Sequence, residues 1–140
     1  MDETGVTALY LATYNDHAGI ARLLLEEGVD VNAQGDGGFS ALHSATERER
    51  SRVIPLPLEY GATVNFQGSH NMTALFNAAK RGAESNAQLL LDAGADANAK
   101  SVFGATALHS TAWSGRIGMV RLLLDAVADV EAVAEPFNGH

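Results

Sequence analysis

An all-α solenoid of four stacked helix-turn-helix units with projecting inter-repeat loops is the fold this sequence predicts, and three observations predict it. Leu9, Leu42, Leu75 and Leu108 stand 33 residues apart, and so do Asn32, Asn65 and Asn98. Around the leucines the chain reads GVTALYLA from Gly5, GFSALHSA from Gly38, NMTALFNA from Asn71 and GATALHST from Gly104. The second halves agree too, with LLLEEGVDVNA, LPLEYGATVNF, LLLDAGADANA and LLLDAVADVEA beginning at positions 23, 56, 89 and 122. Self-similarity at one such period marks an array in which each unit packs on its neighbours. The repeats fall at about 2–34, 35–67, 68–100 and 101–133 of a single domain over 1–140, with 134–140 a tail or the start of a truncated fifth repeat.

Within each unit a Thr or Ser (Thr7, Ser40, Thr73, Thr106) precedes an Ala-Leu pair, which places a side-chain oxygen where a helix start has free N–H groups. A second helix ends in the Leu-rich turn. Gly28, Gly61 and Gly94 follow it, where a residue with positive φ stops a helix cheaply, and an Asp/Asn/Gly-rich stretch leads to the next unit. Helices of about nine or ten residues are marginal alone, so their apolar faces must be buried by stacking.

These segments resemble the ankyrin repeat, whose signature is Gly-x-Thr-Pro-Leu-His-x-Ala followed by Leu-Leu-Leu-x-x-Gly-Ala-Asp-x-Asn-Ala. The resemblance covers residues 2 to about 132. It implies a module that binds another protein across the concave surface of its first helices and the loop tips, rather than an enzyme.

The departures from the signature carry expectations of their own. Ala8, Ala41, Ala74 and Ala107 replace its Pro, a mild change because Pro there only presets the helix start. His43 and His109 keep its His, whereas Tyr10 and Phe76 replace it, so a loop-bridging hydrogen bond should be missing in repeats one and three. Pro55 and Pro57 fall in the second helix of repeat two, where an interior proline costs roughly 3 kcal/mol. Pro55 is near enough to the start to be tolerated and Pro57 is not, so a shortened or distorted helix is expected between Ser51 and Tyr60. Asn86 replaces Ile20, Val53 and Met119 on a buried face and must find a partner there. Val127 replaces the terminating Gly and resists positive φ, so the last helix should overrun toward Glu135, with Pro136 as the stop. Met119, Val120, Leu123, Leu124, Val127 and Val130 continue the apolar pattern where a polar end face is usual. Self-association or further repeats are the expected cover for that C-terminal face.

Composition narrows the function. Nine Lys plus Arg against seventeen Asp plus Glu give a formal charge of −8, which repels a phosphate backbone or an anionic membrane. Nucleic acid and membrane are therefore not expected partners. Met1-Asp2-Glu3 lacks the profile of a secretion signal, so a cytoplasmic or nuclear rather than a secreted protein is expected, and the sequon Asn71-Met72-Thr73 should stay unmodified. There is no cysteine. No nucleophile, base or metal set converges: His43-Ser44 and His109-Ser110 are adjacent pairs that recur only because the repeat recurs, and the two histidines belong two units, roughly 20 Å, apart. Gly35-Asp36-Gly37-Gly38 lacks the Lys and the setting of a phosphate loop. No catalytic, cofactor or metal residue is assigned.

Candidate binding residues follow from the register. The exposed pairs late in the first helices are Tyr14-Asn15, Glu47-Arg48, Lys80-Arg81 and Trp113-Ser114, which share no chemistry although the buried positions nearly coincide. The loops add Asp36, Phe39, Ser69, His70, Met72, Val102 and Phe103. Trp, Tyr and Arg are enriched at binding hot spots, which puts Trp113 first. Phe39, Met72 and Phe103 are expected to tuck back between loops. Arg48, Lys80 and Arg81 on an acidic protein suit a partner that presents acidic and aromatic groups. Three readings stay open: a free-standing protein-binding module, a sensor or targeting segment of a larger signalling protein or enzyme, and a degenerate array with no specific partner.

Overall fold

The computed structural model describes residues 7–48 and 52–133, and of residues 36, 113 and 128–133 the backbone alone. Among the described residues it is all helix: α1 (Ala8–Tyr14), α2 (Ala18–Glu26), α3 (Ala41–Ala45), α4 (Pro55–Glu59), α5 (Ala74–Arg81), α6 (Glu84–Asp92), α7 (Ala107–Ser114) and α8 (Ile117–Val133). They form four pairs. The first helices pack in sequence, α1 on α3, α3 on α5 and α5 on α7, while the second helices pack α2 on α4 and α6 on α8. The core runs between the layers through Leu9, Leu42 and Leu75, with Ala21, Leu25, Val53, Ala87, Leu90, Met119 and Leu123 from the second helices. Ala41, Ala74 and Ala107, where the signature has Pro, are buried against the preceding unit.

The helix starts form as expected, by two devices. Thr7 and Thr73 accept the N–H groups of Tyr10 and Phe76. In repeats two and four the Ser40 and Thr106 hydroxyls likewise accept the backbone N–H groups of His43 and His109, and in addition the N–H groups of Ser40 and Thr106 donate to Nδ1 of those histidines. Because Nδ1 of His43 is the acceptor, its proton sits on Nε2, which donates to the Met72 carbonyl of the next loop at 2.9 Å. Repeats one and three have no ring at that position that can do the same.

Repeat two yields to its prolines by starting its second helix late. α2 and α6 have nine residues, but α4 has five and begins at Pro55. Pro57 thereby falls in the first turn, where its missing N–H would have had no intrahelical partner. The expectation that Pro57 is not tolerated is thus corrected, because the start has moved; the shortened helix is found. The lead-in is tied on both sides. Arg52 N–H donates to Asp16 Oδ1 at 2.9 Å, and the buried Asn86 donates from Nδ2 to the Arg48 carbonyl at 2.6 Å. No described buried polar side-chain atom lacks a partner.

Gly28, Gly61 and Gly94 take positive φ, as their place after the Leu-rich turn demands. Val127 does not: α8 runs on for seventeen residues to Val133, while the expected stop at Pro136 lies outside the described residues. The apolar C-terminal face is narrower than expected, since Met119 and Leu123 are buried and Leu124 is the member that stands out in solvent. Val130 lies outside the described side chains.

The asparagine spacing proves to be a ladder. Asn32 accepts the Thr63 N–H through Oδ1 at 2.8 Å and reaches the Gly61 carbonyl through Nδ2. Asn65 repeats this on the Asp96 N–H and the Gly94 carbonyl. The positions that would complete a third step from Asn98 lie inside α8, which uses its own backbone groups. Asn65→Ala should therefore lower stability by about 1 kcal/mol and Asn98→Ala by much less, as read by urea unfolding.

Burial pushes His43 below its ordinary value of 6.5, against smaller opposing effects of the Met72 and Phe66 backbone. Below pH 6.5 the unfolded chain takes up a proton that the folded chain refuses. Stability is therefore full above pH 6.5 and is lost as pH falls from there through the folded value. Urea unfolding between pH 5 and 8 should show this slope, and His43→Asn should remove it.

Candidate partner-binding surface

The first helices end in short turns whose side chains reach across to the next repeat. Tyr14 closes α1, half-exposed, with its ring stacked at 6.4 Å on that of Tyr10 one turn earlier. Glu47 and Arg48 follow α3. Glu47 is less exposed than expected because two neighbours hold its carboxylate: Arg81 meets Oε1 at 2.5 Å and Asn77 Nδ2 meets Oε2 at 3.1 Å. Arg48 is exposed and donates from Nε to the Tyr14 carbonyl at 3.4 Å. Lys80 and Arg81 end α5, both exposed.

The loops supply the opposite wall. Phe39 lies across the backbone of Gly68, where an added Cβ would come within 2.2 Å of the ring, and 5.0 Å from the His43 ring. No larger residue than glycine fits there. Met72 is half-buried beside it. These two loop residues do tuck back. Phe103 does not: it is 82% exposed, its ring stacked on that of His70 at 5.9 Å, and the His70 carbonyl accepts the Val102 N–H. In the loop below it, His70 and Asn71 hold the positive φ that Gly37 and Gly38 supply one repeat earlier.

Two depressions result. The first, about 180 Å³, is lined by Tyr10, Phe39, His43, Met72 and the polar residues Ser44, Glu47, Thr73 and Asn77. Its walls are largely aromatic and thioether, and its floor is hydroxyl and amide. The second is an open basin between Tyr14, Glu47, Arg48 and Arg81. Glu47 belongs to both.

Of the residues expected from sequence, Phe39, Glu47 and Met72 thus meet in the first cleft and Tyr14, Glu47, Arg48 and Arg81 in the second. His70 and Phe103 form a separate exposed pair at the loop tips. Asn15, whose amide donates to the Leu11 carbonyl, Lys80 and Ser114 line neither cleft. Trp113 lies on α7, with its side chain outside the described ones. Sequence reasoning missed Tyr10, His43, Ser44, Thr73 and Asn77 as lining residues. Tyr10 and Asn77 each depart from their register partners, Tyr10 from His43 and His109 and Asn77 from Ser44 and Ser110. That departure was the available signal.

Among the described residues no group of three or more His, Asp or Glu gathers as a metal site would require, and no helix is long and apolar enough to cross a membrane. A search of curated proteins found no match. A family model described as ankyrin repeats, in three copies, matches residues 1–68 and 53–134, nearly the whole length over which the helix pairs stack. With that match, and with the capped first helices and the glycine stops of the first three second helices in register, the chain belongs to the ankyrin-repeat family.

Proposed function

We propose that this chain is a protein-binding module that takes its partner along the ends of the first helices and the loop tips. Ankyrin repeats in general mediate protein–protein interaction and are typically not enzymes. The observation that supports the reading here is the aromatic-walled cleft formed by Tyr10, Phe39 and Met72, opening beside the basic basin of Arg48 and Arg81. An apolar recess rimmed by a few fixed polar groups is what a partner's anchoring side chain fills. The exposed Phe103 and Val102 add apolar contact at the loop tips. A partner with acidic and aromatic groups suits this surface.

The degenerate-array reading loses ground because its main supports have compensating contacts. The proline pair sits in a first turn, Asn86 is hydrogen-bonded, and Val127 is helical. A targeting segment of a larger protein would use the same surface.

Affinity capture from a native lysate tests the proposal. The intact chain is compared with Met72→Glu, with Phe103→Ser, and with Leu89→Gln on the exposed side of α6 as control, all matched in melting temperature. One retained protein, lost with either of the first two and kept by the control, is the expected result. Loss with Leu89→Gln alone would move the surface to the second helices.

A further inference from the structure

Resting on that reading, we propose that the two clefts form one site for a short extended peptide, in which an apolar side chain enters the first cleft and a nearby carboxylate meets Arg48 and Arg81 in the second. The clefts share Glu47 and so lie side by side, one aromatic-walled and one edged by two guanidinium groups. A peptide that fills the first cannot avoid presenting its next side chains to the second.

The sign of the required charge follows from what is already occupied. Among the described residues Glu47 is the only acidic residue lining either cleft, and both its oxygens are taken, one by Arg81 and one by Asn77. It therefore has little left to offer a cationic ligand. Two guanidinium groups and that single carboxylate line the basin, which gives its described lining a surplus positive charge. Arg48 uses only Nε, in a long bond to the Tyr14 carbonyl, so its terminal nitrogens are free among the described residues. Planar guanidinium groups suit carboxylates in two-point contact. Since the chain as a whole carries −8, this basin is also where an acidic peptide meets the least repulsion.

The backbone beneath Arg48 is fixed by an unusual residue. Asn86 occupies a position that is Ile20, Val53 or Met119 in the other repeats, is 1% exposed, and gives its Nδ2 to the Arg48 carbonyl. Arg52, four residues on, is anchored to Asp16. A buried amide at an apolar position is costly unless bonded, and here the bond sets where Arg48 leaves the chain. Asn86 is thus a positioning residue for the basin.

The test is panning of a displayed library of random peptides on the full chain, followed by affinity measurement with the best peptide made synthetically. Enriched sequences should share an apolar residue close to Asp or Glu. Changing that acid to its amide should weaken binding about tenfold, as should Arg48→Gln in the protein, and the two losses should not add. Asn86→Val should lower the preference for the acidic peptide over its amide, a ratio that general destabilisation leaves unchanged.

Enriched peptides without an acid, or binding lost with Met72→Glu but untouched by Arg48→Gln and Arg81→Gln, would overturn the carboxylate proposal while leaving the module reading intact. No enrichment, or binding indifferent to all three substitutions, would overturn the site itself. The lysate capture, which does not depend on short peptides, then decides the module reading separately.

Discussion

Everything in this molecule depends on helices that cannot stand alone. Seven of the eight described helices have only five to nine residues, at most about two and a half turns, and such a segment in water does not recover the cost of its own nucleation. Burial between units supplies what is missing. The Ala-Leu pair at the head of the two middle first helices, α3 and α5, is wholly taken into the core. Ala41 and Leu42, and Ala74 and Leu75, are all about 1% exposed. Between these apolar contacts runs a polar seam that the period alone does not reveal, with Thr13 bonded to Ser44, Thr46 to Asn77 and Ser110 to the Phe76 carbonyl. The stack fixes the helices, and the helices fix where the turn residues stand.

The array was legible because its physics repeats. A buried leucine and a positive-φ glycine each impose one residue type at one place, so four copies of the constraint leave a period in the sequence. Departures from the period were legible as departures, but what they do was not. Asn86 announced a need for a partner, yet its partner is the backbone of Arg48, thirty-eight residues earlier, which no local pattern names. Pro57 read as an obstruction because the helix start was assumed to follow the period. The start moved instead. Phe39 and Phe103 both read as loop aromatics tucked away, but Phe39 has Gly68 beneath it and Phe103 has the ring of His70.

The candidate surface was half legible for the same reason. Residues at helix ends could be placed by register alone, which found Tyr14, Arg48 and Arg81. The lining of the first cleft includes residues one turn earlier, Tyr10 and Asn77, which meet Phe39 and Met72 of the loops there. Charge was the hardest to read. In sequence Glu47 and Arg81 look like separate contributions, whereas in the structure they are one ion pair, and the basin's sign is set by what remains.

The distribution of inter-repeat bonds also bears on how such a chain can change over generations. The asparagine ladder joins position to position at a constant offset of thirty-one, so a unit removed or duplicated whole by recombination would meet an equivalent partner at the new junction. Other bonds are private. Asp16 to Arg52 links repeats one and two, and Glu47 to Asn77 and Arg81, with Arg48 to Asn86, links repeats two and three. Repeat four is tied to what precedes it largely through carbonyls that any residue could offer, such as that of Phe76. Exchange of the fourth unit would thus keep the bonds to the Phe76 and His70 carbonyls and give up the His70–Phe103 ring stack, whereas exchange within the first three would also break the Glu47–Arg81 ion pair.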